Sequence, residues 1–272
     1  MPLARLKPRR LKPSFVERVW GSERLEPWFT SPHQRIGEVW FEGSDDLPLL
    51  VKFLFTSGKL SVQVHPDDAY AAKHHNSRGK TEMWHVLAAE PGAQIAAGFR
   101  EPVSSEHLRS AALSGEIEEL LTWHEARPGD TFFIPAGTVH AIGAGLILCE
   151  IQQLSDITYR LYDYGRPREL HLDHSLAVSR REAHAARVAA SPAEGSGAAL
   201  VSCEHFTVTR HEIDGTIQFQ NPPDLLIAIE GEGHVGGEPI RSGEVWYSPA
   251  GTSPFEVAGR LTVLGATILP RP

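Results

Sequence analysis

In residues 61–68, Ser-Val-Gln-Val-His-Pro-Asp-Asp, polar side chains alternate with valines over the first five positions. Successive side chains of a β-strand point to opposite faces, so Ser61, Gln63 and His65 share one face while the valines face a core. A hydroxyl, an amide and an imidazole on one face can bind a polar ligand or a metal ion. Other residues must face them to complete such a site.

Two further segments supply candidate ligands. The same alternation puts Lys80 and Glu82 on one face of a second strand, and His140 closes the turn sequence Ile-Pro-Ala-Gly-Thr-Val-His-Ala at 134–141. Two imidazoles and a carboxylate, with the Gln63 amide oxygen as a fourth candidate, form a nitrogen and oxygen donor set. Such a set suits Zn²⁺, Fe²⁺ or Mn²⁺, and ligand type alone does not choose among them.

Charged side chains also interrupt apolar runs. Lys52 and Glu150 each lie in a run apolar enough to be buried, where a charge is costly unless it is paired or functional. Asp156 and Arg160 share a face further along the chain. The cations Lys52, Lys80 and Arg160 could together hold an anion such as phosphate. The alternatives are a surface ion pair for Asp156 and Arg160, and a snorkelling edge residue for Lys52.

The elements around these residues are mostly β-strands. Short β-like runs recur between 24 glycines and 20 prolines, a pattern typical of a β-sandwich or barrel. Helical patterns are few. The clearest is residues 104–121, with serine caps and apolar residues at helical spacing. A short helix is predicted to open at Pro66 and Asp67, and residues 172–188 form a third candidate.

A repeated pattern indicates two related units. Residues 127–142 and 241–257 both run from a turn glycine and an acid, through a short strand, to Pro-Ala-Gly-Thr. The pattern resembles the second conserved motif of cupins, which are small jelly-roll β-barrels. His140 lies three residues after the glycine of the first copy, and Pro254 occupies the equivalent position in the second copy. Only the first unit therefore retains this candidate ligand.

The predicted fold is therefore mainly β, with two cupin-like jelly-roll β-barrels and a small helical segment. We expect a metal-bearing N-terminal domain at 1–188, which includes the helical segment at 104–121. A small, polar linker follows at 189–199, and a degenerate cupin-like domain without metal spans 200–272.

Bulk properties restrict the class of protein. The net charge of −8 over 272 residues argues against a nucleic-acid surface, and no apolar run has the roughly 20 residues of a membrane helix. Two cysteines, Cys149 and Cys203, are too few to stabilise a chain of this length through disulfide bonds. This count favours a reducing compartment. The basic N-terminal segment lacks the apolar region of a secretory signal and is interpreted as a solvated tail. The alternative is a nuclear-localisation signal or a nucleic-acid-binding segment. We expect a cytoplasmic monomer or weak homodimer.

Several motifs together carry a family resemblance. In chain order these are Val-Trp-Gly at 19–21, Gly-Glu-Val-Trp at 37–40, residues 48–54, Leu-Ser-Val-Gln-Val-His-Pro-Asp-Asp at 60–68, Gly-Lys-Thr-Glu-Met-Trp at 79–84, residues 134–141 and Ile-Thr-Tyr-Arg-Leu-Tyr-Asp-Tyr-Gly-Arg at 157–166. Their order and spacing resemble the short bacterial form of the type I mannose-6-phosphate isomerases. The segment at 104–121 stands where the long members have a large helical insertion.

The resemblance implies a zinc-dependent isomerase that interconverts mannose 6-phosphate and fructose 6-phosphate, with one zinc ion per chain. The implied metal ligands are Gln63, His65, Glu82 and His140. The implied catalytic residues are Arg160, Lys80, Glu150 and Asp156. Substrate and phosphate binding is assigned to Ser61, Lys52, Lys80 and Arg160.

The sequence leaves some choices open. Glu150 and Lys80 are both candidates for the general base. An Fe²⁺ cupin oxygenase and a non-catalytic sugar-phosphate-binding cupin are the alternative functions. Other histidines, among them His74, His75, His171 and His174, are assigned to surface or structural roles.

Overall fold

The structure is a computed structural model that describes residues 6–31, 33–43, 47–183, 187–188 and 197–269. The strands are β1 (Arg9–Arg10), β2 (Ser14–Ser22), β3 (Ile36–Phe41), β4 (Leu49–Thr56), β5 (Val62–Val64), β6 (Glu82–Ala89), β7 (Gln94–Phe99), β8 (Leu121–Glu125), β9 (Thr131–Ile134), β10 (His140–Ile142), β11 (Leu146–Gln153), β12 (Tyr159–Tyr162), β13 (Arg187–Val188), β14 (Ala198–Ser202), β15 (Phe206–Phe219), β16 (Leu225–Val235), β17 (Glu238–Arg241), β18 (Val245–Tyr247) and β19 (Phe255–Ile268). The helices are α1 (Asp68–His75), α2 (Ser105–Ser114), α3 (Ile117–Leu120) and α4 (Leu172–Val178).

The strands form three sheets. The central sheet has the order β13-β9-β6-β11-β4-β3-β2, and the outer sheet has the order β12-β5-β10-β7-β8. The C-terminal sheet has the order β1-β18-β16-β19-β15-β14, with β17 paired to β16. The pairings between these strands are antiparallel, as expected for a sandwich whose strands alternate between inward and outward side chains. The prediction of a mainly β fold is confirmed.

Alternation along the strands of the central sheet divides their side chains between two cores. On β4, Val51, Phe53 and Phe55 pack against the C-terminal sheet, whereas Leu54 faces the outer sheet. Every residue of β4 is buried, so a charged side chain on this strand must find its partner inside the protein. Lys52 is such a residue, and its parity directs it between the central and outer sheets, where the site lies.

One hydrophobic core joins the two halves of the chain. It contains Phe53 and Met83 of the central sheet together with Phe206, Ile227 and Leu264 of the C-terminal sheet. These side chains are at most 1% exposed, so the C-terminal unit is packed directly on the first unit. Burial of this apolar face stabilises both units, because neither sheet could leave it in water.

The helices cover the other face of the outer sheet. Asp67 caps α1 by accepting a hydrogen bond from the backbone of Tyr70, and Ser104 caps α2 by accepting one from His107. Gly115 ends α2 with a φ of 91°, which separates the predicted segment 104–121 into two helices and the first residue of β8. In the third candidate region the helix ends at Val178, earlier than predicted. Residues 184–186 of that region lie outside the described residues.

The basic N-terminal segment is not a solvated tail over its described part. Arg9 and Arg10 form β1 and pair with Tyr247 and Trp246 of the C-terminal sheet, while Leu11 is buried. Arg10 also forms an ion pair with Glu244 at 2.9 Å. The tail was predicted from its basic charge, and charge does not indicate the backbone pairing of β1 or the burial of Leu11.

The region between the halves is only partly described. Residues 189–196 of the predicted linker lie outside the described residues, whereas Ala198 and Ala199 already belong to β14. Within the described ranges, no helix is long and apolar enough to cross a membrane.

Candidate active site

A cavity of about 420 Å³ opens between the central and outer sheets. It is lined by Arg18, Trp20, Glu38, Trp40, Lys52, Leu54, Leu60, Ser61, Gln63, Lys80, Ile142, Glu150, Asp156, Thr158, Arg160 and Arg168. All of these residues precede position 169, so the described residues of the C-terminal unit, 197–269, do not contribute to the cavity wall. Seven of the ten predicted site residues line the cavity itself, and the other three, His65, Glu82 and His140, lie beside it.

The candidate metal centre is a buried group of His65, Glu82 and His140. Glu82 Oε1 lies 3.6 Å from His65 Nε2 and 3.5 Å from His140 Nε2, and the three ligand atoms lie within 4.8 Å of one another. Each side chain is at most 1% exposed. Glu82 starts β6, His140 starts β10 and His65 follows β5, so the two facing sheets bring these three ligands together.

Hydrogen bonds at the far ring nitrogens orient both imidazoles. His65 Nδ1 lies 2.8 Å from the Ile157 carbonyl and His140 Nδ1 lies 2.9 Å from the Thr138 carbonyl. A carbonyl oxygen only accepts, so both Nδ1 atoms carry the proton and both Nε2 atoms present a lone pair to Glu82. Histidines that bind metals have this arrangement, with the second nitrogen donating to a carbonyl or carboxylate.

The electrostatics of this group fit a bound cation. Burial and the neighbouring Lys80 ammonium lower the pKa of His65 to about 4, and burial lowers the pKa of His140, so both rings are neutral at pH 7. Burial alone would raise the pKa of Glu82, but Lys80 holds it well below its usual range. Glu82 Oε1 is buried and has no hydrogen-bond partner among the residues that the structure describes. A carboxylate that faces two lone pairs is the donor set that a divalent cation requires.

Gln63 adjoins this group through the outer sheet. It pairs with His140 of β10 on one side and Arg160 of β12 on the other. Its Nε2 lies 3.2 Å from His140 Nε2, and its Oε1 accepts a hydrogen bond from the Ser61 hydroxyl at 3.2 Å. In this orientation the amide nitrogen faces His140, so metal ligation through the oxygen, as the sequence predicts, requires the amide to rotate.

Two lysines and two carboxylates form a buried ion-pair network between the candidate metal centre and the cavity. Lys80 Nζ lies 2.6 Å from Glu82 Oε2 and 3.7 Å from Glu150 Oε1, and Lys52 Nζ lies 3.4 Å from the same Glu150 oxygen. Burial alone would lower the pKa of Lys80, but Glu150 and Glu82 raise it above its ordinary value. Lys52 is thus a buried, paired residue and not a snorkelling edge residue.

Aromatic side chains hold this network in place. Trp84 Nε1 donates to Glu150 Oε2 at 2.9 Å, and the Lys52 ammonium lies 4.4 Å from the centre of the Trp40 ring. Trp84 also packs edge-on against His140, with ring centroids 5.2 Å apart. One carboxylate oxygen of Glu150 is therefore fixed by an indole, while Glu150 Oε1 is buried and has no hydrogen-bond partner in the described part of the chain.

Arg160 and Asp156 lie at the other side of the cavity. The Arg160 guanidinium donates to the Glu169 carbonyl at 2.7 Å, and its Nε is buried with no hydrogen-bond partner within the described ranges. Burial and the nearby Arg168 lower the pKa of Arg160. Asp156 is exposed, and Arg160 has no ion pair with it. The alternative of a surface ion pair between the two is wrong.

Some cavity residues escaped the sequence analysis. Glu38 binds Arg18 in an ion pair of 2.6 Å and accepts a hydrogen bond from Trp40 Nε1 at 3.2 Å. Arg168 binds the buried Asp163. The sequence Gly-Glu-Val-Trp could have indicated that Glu38 faces the cavity. Its glutamate and tryptophan stand two residues apart, as Glu82 and Trp84 do on β6. Nothing local to Arg18 or Arg168 indicated that they face the cavity.

The structure and site define a class: a mainly β protein of cupin type, with a candidate metal centre beside a charged cavity. A family model described as the catalytic domain of phosphomannose isomerase type I matches residues 24–85. A second, described as the cupin domain of mannose-6-phosphate isomerase, matches residues 197–267. The expectation of cupin-like units is thereby confirmed.

Relatives cover nearly the whole chain. The mannose-6-phosphate isomerase ManA of Bacillus subtilis (strain 168) is 35% identical over 93% of this chain and 96% of its own length. The mannose-6-phosphate isomerase of Streptococcus mutans is 33% identical over 96% of this chain and 98% of its own. The crystal structure of the mannose 6-phosphate isomerase from Bacillus subtilis superposes with a TM-score of 0.87 and 28% identity, covering 96% of this chain and all of that one. The chain belongs to the type I mannose-6-phosphate isomerase family.

Proposed function

We propose that this protein interconverts mannose 6-phosphate and fructose 6-phosphate, with one zinc ion held by His65, Glu82, His140 and the Gln63 amide oxygen. The observation that carries the proposal is the buried group of neutral imidazoles and carboxylate beside a cationic cavity, in a chain that belongs to this family of enzymes. When bound, a zinc ion supplies Lewis acidity at the oxygen atoms of the sugar.

The cavity is suited to an anionic sugar. Its lining includes five cations, Arg18, Lys52, Lys80, Arg160 and Arg168, against three carboxylates, Glu38, Glu150 and Asp156. This local excess of positive charge in a chain of net charge −8 favours a ligand that carries phosphate. Ser61 and Lys52 line the same cavity, and we assign phosphate recognition to them together with Arg160 and Lys80.

The reaction moves a hydrogen between C2 and C1 of the open-chain sugar. A base removes the C2 proton of the aldose and a proton is returned to C1, while the hydroxyl and carbonyl oxygens exchange their roles. We assign the proton transfer to Glu150, because this residue lines the cavity and its Oε1 has no hydrogen-bond partner among the described residues. Lys80 is engaged with Glu82 and His65, which suits it to hold these ligands in position. Asp156, at the rim, orients the sugar hydroxyls.

Arg160 is assigned to the charge that grows on the sugar oxygens as the C2 proton leaves. Its guanidinium shares the cavity with Glu150, and its strand β12 pairs with the strand that carries Gln63. Fixed donors aimed at developing charge are worth several kcal/mol in a site that excludes water.

Metal removal and a carboxylate substitution test this proposal. The metal-free protein, prepared with a chelator, should lose isomerase activity with mannose 6-phosphate and regain it with Zn²⁺. Glu82→Gln should lower zinc affinity by more than the roughly 10- to 100-fold loss seen when an outer-shell partner is removed. Zinc should raise the melting temperature of the wild type but not of this variant. Glu116→Gln, at an exposed position on the surface, is the matched control.

The alternative functions give different results in the same experiment. An oxygenase would need Fe²⁺ and would consume dioxygen, with no exchange between the two sugar phosphates. A non-catalytic sugar-phosphate-binding protein would bind mannose 6-phosphate without turnover when zinc is supplied. Either result, in zinc-loaded wild-type protein, would refute the proposed isomerase activity.

A further inference from the structure

Three hydrogen bonds tie Arg160 to the segment 169–171. The Arg160 guanidinium donates to the Glu169 carbonyl at 2.7 Å, and the His171 backbone N–H donates to the Arg160 carbonyl at 2.8 Å. The third bond uses a side chain: the Arg160 backbone N–H donates to His171 Nδ1 at 3.1 Å. Both the backbone and the guanidinium of Arg160 are therefore held by this one short segment.

The imidazole of His171 hydrogen-bonds to Arg160 and does not cap its own helix. His171 occupies the N-cap position of α4, yet its side chain makes no capping hydrogen bond to the helix. Because a backbone N–H only donates, Nδ1 must be the unprotonated nitrogen, and the neutral ring carries its proton on Nε2. A surface histidine would have no fixed tautomer of this kind.

We propose that His171 is a positioning residue for the isomerisation, which holds Arg160 in its orientation toward the cavity through the acceptor Nδ1. The inference rests on the proposed function, in which Arg160 faces the charge that develops on the sugar. It also replaces the surface or structural role that the sequence analysis assigned to His171.

Protonation of His171 would abolish this support. A proton on Nδ1 turns the acceptor into a donor that faces another donor, and it adds a positive charge beside the arginine. Burial and Arg160 lower the pKa of His171 from its ordinary value of 6.5, while Glu169 opposes the shift. The other groups facing the ring are His174 of α4 and Tyr159 of β12, whose ring centroid lies 6.3 Å away. The support of Arg160 is therefore present at neutral pH and lost in acid.

Two substitutions separate the acceptor from the bulk of the ring. His171→Ala removes the acceptor and should lower kcat about 10- to 100-fold, the cost of a displaced catalytic group, with little change in zinc content. In His171→Asn the amide oxygen can take the place of Nδ1 and does not titrate. This variant should recover most of kcat and should lose less activity than the wild type below pH 6.5. His107→Asn, an exposed histidine of α2, is the control.

A double-mutant cycle with Arg160→Ala completes the test. If His171 acts through Arg160, His171→Ala should lower kcat much less in the Arg160→Ala background than in the wild type. Equal losses in both backgrounds would overturn the proposal. So would an asparagine variant that is as slow as the alanine variant and keeps the wild-type acid profile.

A measurement without turnover keeps this inference separate from the proposed function. Nitrogen NMR of the zinc-loaded protein, with the His171 ring assigned by comparison with His171→Asn, should report Nδ1 as the unprotonated, hydrogen-bonded nitrogen at pH 7. A ring protonated on Nδ1 would refute the inference even in an active isomerase. An inactive wild type with the expected tautomer would refute the proposed function and leave the contact between His171 and Arg160 established.

Discussion

Arg160 differs from the other cations of the cavity in its partners. Each of the others forms an ion pair within 4.0 Å, namely Arg18 with Glu38, Lys52 and Lys80 with Glu150, and Arg168 with Asp163. The guanidinium of Arg160 contacts a carbonyl oxygen, and its Nε is buried without a hydrogen-bond partner. Within the described residues Arg160 forms no ion pair, although Asp163 and Glu169 lie near enough to favour its charge. Such a cation can act on charge that arises in the substrate.

Arg160→Ala tests this assignment. We expect kcat to fall about 10²- to 10³-fold, with a much smaller change in KM for fructose 6-phosphate, because the lost interaction is made mainly in the transition state. Zinc content should remain that of the wild type, since arginine does not bind a cation. Steady-state kinetics and metal analysis measure both quantities.

The matched control is Arg109→Ala, which removes an exposed arginine paired with Asp173. It should leave kcat unchanged and alter stability by no more than about 1 kcal/mol. A rise in KM at constant kcat in Arg160→Ala would instead assign Arg160 to phosphate binding alone. An unchanged kcat and KM would remove it from the active site.

At the scale of elements, one turn connects two of the proposed metal ligands, His65 and His140. The Gly137 N–H donates to the His65 carbonyl at 2.8 Å, and its carbonyl accepts from Arg180 at 2.8 Å. Gly137 has a φ of 86°, and a Cβ there would lie 2.8 Å from the Val178 carbonyl. The turn therefore requires glycine, and it places His140 three residues later at the start of β10.

Gly137→Ala should lower both stability and metal affinity. The backbone strain costs about 1–2 kcal/mol, and relief of the contact with Val178 should displace the turn that leads to His140. Gly251→Ala provides a matched control in the second copy of the motif, where φ is 82° and a Cβ meets nothing within 4 Å. Calorimetry should detect strain in both variants, but zinc titration should show weaker binding only for Gly137→Ala. Equal zinc affinity in the two variants would contradict this role of the turn.

The opposite face of β6 gives a pH dependence to stability. His85 is 2% exposed, and burial together with Arg210 lowers its pKa to about 4 from an ordinary value of 6.5, while Asp130 opposes the shift. The unfolded chain therefore binds a proton below pH 6.5 that the folded protein does not bind until about pH 4. This histidine should lower the free energy of unfolding by up to about 3 kcal/mol as the pH falls through that range.

His85→Gln measures this contribution. Urea denaturation between pH 7 and pH 4 should show a shallower loss of stability in the variant than in the wild type, because glutamine does not titrate. The quantity to compare is the slope of the free energy of unfolding against pH. The absolute stabilities are not comparable, because the variant also alters the contact with Thr131. Parallel stability curves for the two proteins would show that His85 does not titrate as its burial implies.

At the scale of the whole molecule, the shared core should make the two halves unfold together. Phe206 of β15 is fully buried among side chains of the central and C-terminal sheets. Phe206→Ala should lower the free energy of unfolding by about 3–5 kcal/mol. Because no described residue of the C-terminal unit lines the cavity, the folded variant should retain the wild-type kcat and KM at low temperature.

Tryptophan fluorescence can follow both halves in this experiment, since Trp84 lies in the first unit and Trp246 in the C-terminal unit. Single-tryptophan versions of the protein should show coincident denaturation curves. The control Leu113→Ala, at a residue that is 65% exposed, should change stability by less than about 0.5 kcal/mol. Two separate transitions would mean that the common core does not couple the units.

Local patterns were sufficient to predict the strands β4, β6, β9 and β11 and the polar face of residues 61–65, because alternation depends only on the backbone of one strand. They also identified His65, Glu82 and His140 as ligand candidates, since each ends or begins a patterned segment. Pro66 and Asp67 marked the start of α1, and serine caps marked α2, for the same local reason.

Tertiary structure decided what those residues face. The pairing of Lys52 and Glu150 depends on the register between β4 and β11, which are nearly 100 positions apart, and the contact of His171 with Arg160 depends on how the chain returns after β12. The N-terminal segment likewise became a strand because the C-terminal sheet offers it a free edge. Such contacts join segments that are far apart in sequence, so the local pattern of one segment cannot identify the segment that it contacts.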